Sequence, residues 1–196
     1  MAAIALRRVP PIQSLLSLGL GLSRLAGIGL VAIGISGAVS LAAGGAFGKD
    51  FVSGDPPGVT YTAERCAELI GYYPEGTCRT AATAHHFDEV VTYRIVASVL
   101  GLLVLAGGLL VPRTLGRPAG LLPPGIIDAA GATAFGLAAS ALFGLGLSHL
   151  VVVRPELGLS VSGSGQWLSG AIVAAPIAIY FALRLLAFVG GARAAI

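Results

Sequence analysis

Residues 48–89 read GKDFVSGDPPGVTYTAERCAELIGYYPEGTCRTAATAHHFDE, and this polar segment interrupts a chain that is otherwise almost continuously apolar. The segment contains seven of the nine acidic residues, both cysteines and two of the three histidines. Charged side chains are strongly disfavoured in hydrocarbon, so the segment must lie in water while the apolar runs beside it cross a bilayer. We therefore predict a water-facing loop held at a membrane surface.

The composition of the whole chain is that of a membrane protein. Hydrophobic residues make up 56% of it and charged residues only 11%, and the mean hydropathy is +0.90. These values lie far outside the range of soluble globular domains. The arginines flank apolar runs and do not form the basic stripe with interleaved aromatics that is typical of nucleic-acid binding. We therefore expect an integral membrane protein that binds no nucleic acid.

Four apolar runs are long enough to cross a bilayer as helices, since about 20 residues at 1.5 Å each cover a hydrocarbon core of about 30 Å. The predicted spans are residues 25–47, 90–111, 125–153 and 167–189. Pro112 should end the second span, and Pro176 should kink the fourth. The predicted fold class is an all-α membrane protein, a four-helix transmembrane bundle with one structured extracytoplasmic loop.

The segments outside the spans set the orientation. Residues 1–24 are either an interfacial helix or a cytoplasmic extension of the first span, with a cleaved secretory signal as the alternative. The other segments are the outer loops 48–89 and 154–166, the cytoplasmic loop 112–124 and the tail 190–196. The N-terminal segment and the 112–124 loop are basic and free of acids, so the positive-inside rule places both termini in the cytoplasm, at the plasma (inner) membrane.

Cys66 and Cys78 are the only cysteines, and turn-forming Gly71, Pro74 and Gly76 lie between them. If this face is extracytoplasmic, a disulfide that closes the loop would contribute about 2–3 kcal/mol in the chain-entropy model. A redox-active or metal-binding pair is the alternative, although the spacing is unlike that of dithiol motifs and zinc knuckles. Before the first cysteine, a threonine should cap a short helix at residues 63–70.

A possible metal site lies at the end of the polar segment. His85 and His86 supply two imidazoles, and Asp88 and Glu89 supply two carboxylates. Both kinds of group can ligate a transition metal. On a helix, His85 and Glu89 would share one face. The alternative is that Asp88 and Glu89 occupy the first turn of the second span, where carboxylates interact favourably with the helix dipole.

Titratable residues also lie within the spans. Asp128 and Arg184 fall at similar depths when residues are counted from the cytoplasmic boundary, so we predict an intramembrane ion pair between these antiparallel neighbours. Arg94 lies one turn inside the second span, where we expect it to snorkel outward or to pair with a carboxylate of an outer loop. His149, near the outer end of the third span, is interpreted as an interfacial or hydrogen-bonded residue, with a proton relay as the alternative.

Small residues recur at four-residue steps in two spans, and in lipid they let a neighbouring helix approach closely. These helix-packing candidates are Ala32, Ser36 and Ser40 in the first span and Gly136, Ser140 and Gly144 in the third. In the third span the four-residue steps continue from Ala132 to Ser148, and this longer stripe predicts that the third span lies in the middle of the bundle. The alternative is that Gly and Ala are simply frequent in this chain.

The order of these elements resembles the claudin-like layout, in which four spans accompany a cysteine pair in the first outer loop and an arginine close to the second span. The corresponding residues here are Cys66, Cys78 and Arg94. The tryptophan-containing signature of the claudin loop has no counterpart, since the only tryptophan is Trp167. The resemblance therefore concerns topology and implies no function.

The sequence carries no P-loop, dinucleotide fingerprint, nucleophile elbow or zinc-protease helix. We expect a non-catalytic accessory, assembly or scaffolding subunit without a cofactor, whose partners are membrane lipids and other subunits or copies of itself. The first alternative is a self-assembling channel or carrier for a small solute or ion, which would use Asp128, Arg184 and His149. The second is a metal-handling protein that uses His85 and His86.

Overall fold

Six helices make up nearly all of the chain that the computed structural model describes, which is residues 11–54, 62–74, 77–114, 125–151, 153–154, 158–159 and 163–194. The helices are α1 (Pro11–Phe47), α2 (Lys49–Ser53), α3 (Ala63–Tyr72), α4 (Cys78–Thr114), α5 (Ile126–Val151) and α6 (Ser164–Ala194). Strands β1 (Val153–Arg154) and β2 (Gly158–Leu159) pair antiparallel between α5 and α6. Residues 1–10 and much of the predicted loops 112–124 and 154–166 lie outside the described residues.

Four of the described helices, α1, α4, α5 and α6, are long and apolar enough to cross a membrane, which confirms the predicted all-α membrane class. Helix α1 already includes residues 11–24, and α4 begins at Cys78 rather than at residue 90. Alanines in the first turns of α4 favour a helix even though the segment is polar. The prediction that Pro112 ends its helix is wrong, because α4 continues to Thr114. Proline removes one hydrogen bond and crowds the carbonyl four residues earlier, which can kink a helix without ending it.

The four long helices form two antiparallel pairs, α1 with α4 and α5 with α6, which are joined mainly by contact of α1 with α6. Helices α4 and α5 lie on the outer sides of this arrangement. Within the described residues these two helices do not pack closely against each other. The bundle is therefore open between α4 and α5, with α1 and α6 behind the opening.

Glycines of α1 allow α4 to approach closely. Those at which an added Cβ would collide with α4 are Gly27, Gly34, Gly37 and Gly44, which face Leu105, Ser98, Arg94 and Phe87 in that order. These glycines alternate at spacings of seven and three residues. A mean period near 3.5 residues is that of a left-handed helix pair, so this seam resembles a short coiled coil with glycine in place of the usual large residues.

Helix α5 lies at an edge of the arrangement and packs mainly against α6. Its contact face carries Gly131 and Gly146, at which an added Cβ would lie 2.7 Å from Phe181 Cγ and 2.6 Å from Leu168 Cδ2. The predicted four-residue stripe of α5 is about half a turn of the helix away from this face. The prediction that the third span lies in the middle of the bundle is therefore wrong.

Helices α2 and α3 and the first turns of α4 (residues 49–53, 62–74 and 78–88) form a headpiece at one end of the bundle. Val52 is wholly buried and packs with Phe87 and Val91 of α4. Gly163 has a φ of 77°, a conformation that favours glycine, and its N–H donates to the Asp50 carbonyl at 3.0 Å. Helix α2 therefore ties α4 to the beginning of α6.

The disulfide between Cys66 and Cys78 is present, as predicted, and joins α3 to the first residue of α4 with the two Cα atoms 5.2 Å apart. Thr62 caps α3 by accepting a hydrogen bond from Arg65 N at 3.2 Å. Leu69 of α3 packs with small buried residues of α4. The headpiece is thus held by both a covalent bond and an apolar contact.

The glycine seam between α1 and α4 predicts unequal effects of two alanine substitutions on α1. An added methyl group at Gly34 would overlap the Ser98 side chain and lie 3.1 Å from Ser98 Cα, whereas one at Gly45 would meet nothing within 4 Å. Gly34→Ala should therefore lower the free energy of unfolding in detergent micelles by about 1–3 kcal/mol. Gly45→Ala, the control, should cause no loss. Equal stabilities of the two variants would contradict the seam.

Candidate functional site

Arg94 of α4 reaches across two other helices. Its Nη1 donates to Ser40 Oγ at 2.7 Å and lies 3.5 Å from the Ser36 carbonyl oxygen of the same helix, α1. Its Nη2 lies 3.4 Å from the Gln166 carbonyl oxygen of α6. The bond to Ser40 is short, whereas the other two contacts are long and therefore weaker. Arg94 thus connects the two helix pairs near the headpiece.

The local sequence explains this position. Gly37 has no side chain, so α1 leaves room for the Cβ of Arg94. The guanidinium lies toward the headpiece, since Ser40 is one turn nearer that end of α1 than Gly37, which agrees with the predicted outward direction. It nevertheless remains among the helices and contacts neutral oxygens, and it pairs with neither Asp88 nor Glu89. Glu156, the third carboxylate considered for this pairing, lies outside the described residues.

A cavity of about 690 Å³ opens beside Arg94 and is bordered by α1, α4, α5 and α6. Its polar lining consists mainly of His86, Glu89, Tyr93, Arg94, Gln166 and Trp167. Its apolar lining includes Gly29, Ala32, Phe135, Leu142, Gly170 and Ala174. The volume falls in the range of about 300–1,000 Å³ that is usual for ligand pockets.

The lining of the cavity changes from polar to apolar along the helices. On α6 it extends from Gln166 near the headpiece to Ala174, eight residues or about 12 Å farther along the helix. On α1 it extends from Ser36 to Gly29, about 10 Å in the same direction. The polar groups all lie at the headpiece end, so the cavity is amphipathic.

Trp167 lines the polar end of the cavity with part of its side chain. Its Nε1 atom is buried and has no hydrogen-bond partner among the described residues. The indole ring stacks on His149, with ring centroids 6.5 Å apart and planes at 27°. His149 therefore packs against an aromatic ring near the headpiece end of α5.

The structure divides the four predicted metal ligands among three environments. Asp88 accepts hydrogen bonds from Lys49 and Tyr73, while His85 Nε2 lies 3.4 Å from Glu89 Oε1. The third environment is the cavity, which His86 lines. Successive positions on a helix diverge by about 100°, so these side chains cannot all converge. Within the described ranges no three His, Cys, Asp or Glu side chains are grouped to hold a metal ion.

A hydrogen-bonded cluster around Asp88 stabilises the headpiece. Lys49 Nζ lies 3.2 Å from Asp88 Oδ1 and 5.3 Å from the centroid of the Phe87 ring. The Tyr73 hydroxyl donates to Asp88 Oδ2 at 2.7 Å. This hydrogen bond, with smaller effects from burial and from the charges of Asp88 and Glu89, raises the pKa of Tyr73 to about 12. Helices α2, α3 and α4 are thereby linked through one carboxylate.

Asp128 and Arg184 lie side by side at the opposite end of the bundle, where Arg184 Nε is 3.4 Å from Asp128 Oδ1. Arg184 also lies over the Tyr180 ring, 5.7 Å from its centroid. Neither residue of the pair lines the cavity. Asp128 is 21 residues, or about 31 Å, from His149 on α5. The residues proposed for a channel or carrier are thus split between the two ends.

The two small-residue stripes have different surroundings. Ala32 and Ser36 of α1 are buried and line the cavity, and Ser40 binds Arg94. On α5, an added Cβ at Gly136 or Gly144 would meet nothing within 4 Å. The α1 stripe therefore faces the interior, whereas the α5 stripe lies on an open surface of the described bundle.

Sequence reasoning missed the cavity and the part that Gln166 plays in it. One sequence feature could have indicated the contacts of Arg94. Ser36 and Ser40 lie one turn apart on a predicted span without charged residues, and Arg94 is the cation of the next span. Two hydroxyls on one face of an apolar helix are good partners for such a cation. No sequence feature indicates Gln166, because Arg94 contacts its backbone carbonyl.

The chain matches no protein-family model, no curated protein and no solved structure.

The hydrogen bond between Tyr73 and Asp88 predicts a distinct alkaline titration. The raised pKa means that this contact contributes stability fully below pH 10.0, the value for an ordinary tyrosine, and loses it as the pH rises toward about 12. A tyrosinate absorbance titration of the folded protein should show a component near pH 12 that Tyr73→Phe removes. Tyr72→Phe, the neighbouring control, should retain it. Retention of that component in Tyr73→Phe would contradict the assignment.

Proposed function

We propose that the protein is a non-catalytic accessory, assembly or scaffolding subunit of a membrane complex. The observation that carries this proposal is the open face of α5 around Gly136 and Gly144, where nothing would meet an added Cβ. Leu137 and Phe143, on either side of this face, are 68% and 52% exposed. Small residues between larger ones form a groove into which another helix can pack, and such close packing drives helix association in lipid.

The headpiece supplies a second surface for the same role. The disulfide and the apolar contact with α4 fix α3 in place. On its surface Tyr72 is 80% exposed, and Arg65 and Glu68 form an ion pair at 2.7 Å. Tyrosine and arginine are enriched at protein interfaces, and a rigid surface loses little conformational entropy on binding. We assign this surface to docking of a partner outside the membrane.

In this proposal the headpiece lies on the extracytoplasmic side of the plasma membrane. Structural disulfides persist in oxidising compartments, which suits the pair Cys66 and Cys78. The opposite end is flanked in the sequence by Arg7, Arg8 and Arg113, which the positive-inside rule places in the cytoplasm. The channel and metal-handling alternatives receive less support, since their residues are dispersed over the structure.

The proposed assembly surface can be tested with one leucine on α5. Gly144→Leu should fill the groove and reduce the fraction of protein in a larger complex about tenfold, measured by native electrophoresis of mildly solubilised membranes. Gly107→Leu is the control, because Gly107 is an exposed glycine of α4 with equally open surroundings. A wild-type protein that migrates as a monomer, or equal behaviour of both variants, would argue against a subunit that assembles through α5.

A further inference from the structure

The guanidinium of Arg94 has no anionic partner in the part of the chain that the structure describes. None of the ion pairs among these residues includes Arg94, and its three contacts are to neutral oxygens. A cation held among apolar helices is costly unless an anion accompanies it. Three contacts use at most three of its five N–H groups, so donors remain for a further acceptor.

The cavity next to this cation has the polarity of an amphiphile. Its cationic and hydrogen-bonding groups lie at the headpiece end, and its lining becomes apolar over the next 10–12 Å or so toward Gly29 and Ala174. A small inorganic ion would make no contact with the apolar part of the lining. An uncharged molecule would give Arg94 no anionic partner.

The cavity also lies where α4 and α5 do not pack closely against each other. If the four long helices span a bilayer, a molecule can enter through this gap sideways from the lipid. The guanidinium is level with Gln166, only two residues after the beginning of α6 at Ser164. This level is close to the predicted outer ends of the second and fourth spans, at residues 90 and 167, where head groups would meet the hydrocarbon.

We propose that this cavity binds an anionic phospholipid of the headpiece leaflet. The phosphate accepts hydrogen bonds from Arg94, and an acyl chain lies along the apolar lining between α1, α5 and α6. Phosphate suits this position because a guanidinium presents its donors in a planar fork that matches phosphate oxygens. Trp167 lines the same end of the cavity, beside Arg94 and Gln166.

Glu89 is the acidic residue of the cavity lining. It does not take the place of the phosphate as the anionic partner of Arg94. Its side chain is 63% exposed and lies 3.4 Å from His85 Nε2, on the headpiece side of Arg94. Its charge is largely screened by water there. The binding site therefore stands on Arg94 and the amphipathic cavity, and it does not depend on whether α5 assembles with a partner.

The test uses Trp167, which is the only tryptophan and lines the cavity. The full-length protein is purified in mild detergent, and phospholipids with brominated acyl chains, which quench indole fluorescence on contact, are titrated in. Brominated phosphatidylglycerol should reach half-maximal quenching at an about tenfold lower mole fraction than brominated phosphatidylcholine. Inorganic phosphate in the buffer should not reverse the quenching, because it has no apolar part.

Two variants separate the head-group contact from the chain contact. Arg94→Gln should bring the preference for phosphatidylglycerol to about one. Gly29→Leu should weaken quenching by phosphatidylglycerol about tenfold, because an added Cβ at Gly29 has its nearest neighbour, Phe135 Cζ, 4.0 Å away and a leucine can extend into the cavity. Gly45→Leu, on the same helix with nothing within 4 Å, should behave as wild type. If Arg94→Gln does not fold, the two leucine variants decide the question, since neither touches Arg94.

Four results would overturn the proposal. The first is quenching by wild type without a preference for the anionic lipid. The second is quenching of Gly29→Leu by phosphatidylglycerol that is as strong as in wild type. The third is reversal by inorganic phosphate alone, which would indicate a site for the free ion. The fourth is a bound polypeptide in the cavity that excludes both lipids.

Discussion

The position of Arg94 depends on how closely α1 and α4 approach each other. Four glycines at a mean period near 3.5 residues let side chains of α4 pack directly against the backbone of α1. At Gly37 this contact brings Arg94 beside α1, and the guanidinium then reaches Ser40 and the Gln166 carbonyl. In lipid no hydrophobic force presses helices together, so the fit of these backbones and the polar contact at Arg94 must hold the pairs in register.

This constraint also explains why a cavity forms. Because α1 gives one face to α4 and another to α6, the stripe of Ala32 and Ser36 lies behind the gap between α4 and α5. Small side chains there cannot fill the gap. Helix α5 uses Gly131 and Gly146 to pack on α6 and does not cover it. The opening is thus a consequence of where the small residues lie on each helix.

Much of the architecture could be predicted from the sequence. Length and hydropathy identified the four long helices, and the turn formers between Cys66 and Cys78 indicated the disulfide. These features depend on residues that are close in the sequence and on the bilayer as solvent. They can therefore be predicted from a single sequence. The count of residues per span likewise placed Asp128 and Arg184 at one depth, and the structure has them 3.4 Å apart.

The remaining features depend on which helix faces meet, and a four-residue repeat does not determine this. The stripe on α5 suggested a central helix, whereas α5 lies at an edge and leaves Gly136 and Gly144 open. Polar residues of one segment suggested a metal site, whereas the turn of α4 sends Asp88 toward Lys49 and His86 toward the cavity. Pro112 suggested the end of a helix, whereas α4 continues to Thr114. Whether a proline ends a helix depends on how the whole helix packs, and the residues next to the proline do not show this.

The most direct test of this account is the energetic coupling between Arg94 and Ser40. A double-mutant cycle with Arg94→Gln and Ser40→Ala measures this coupling, with all variants in the same kind of micelle. The coupling is the difference between the stability loss of the double variant and the sum of the losses of the two single variants. A hydrogen bond of 2.7 Å between the two helices predicts a coupling of about 0.5–3 kcal/mol. Additivity within about 0.3 kcal/mol would show that the two side chains do not interact and would contradict the placement of Arg94 on which the cavity depends.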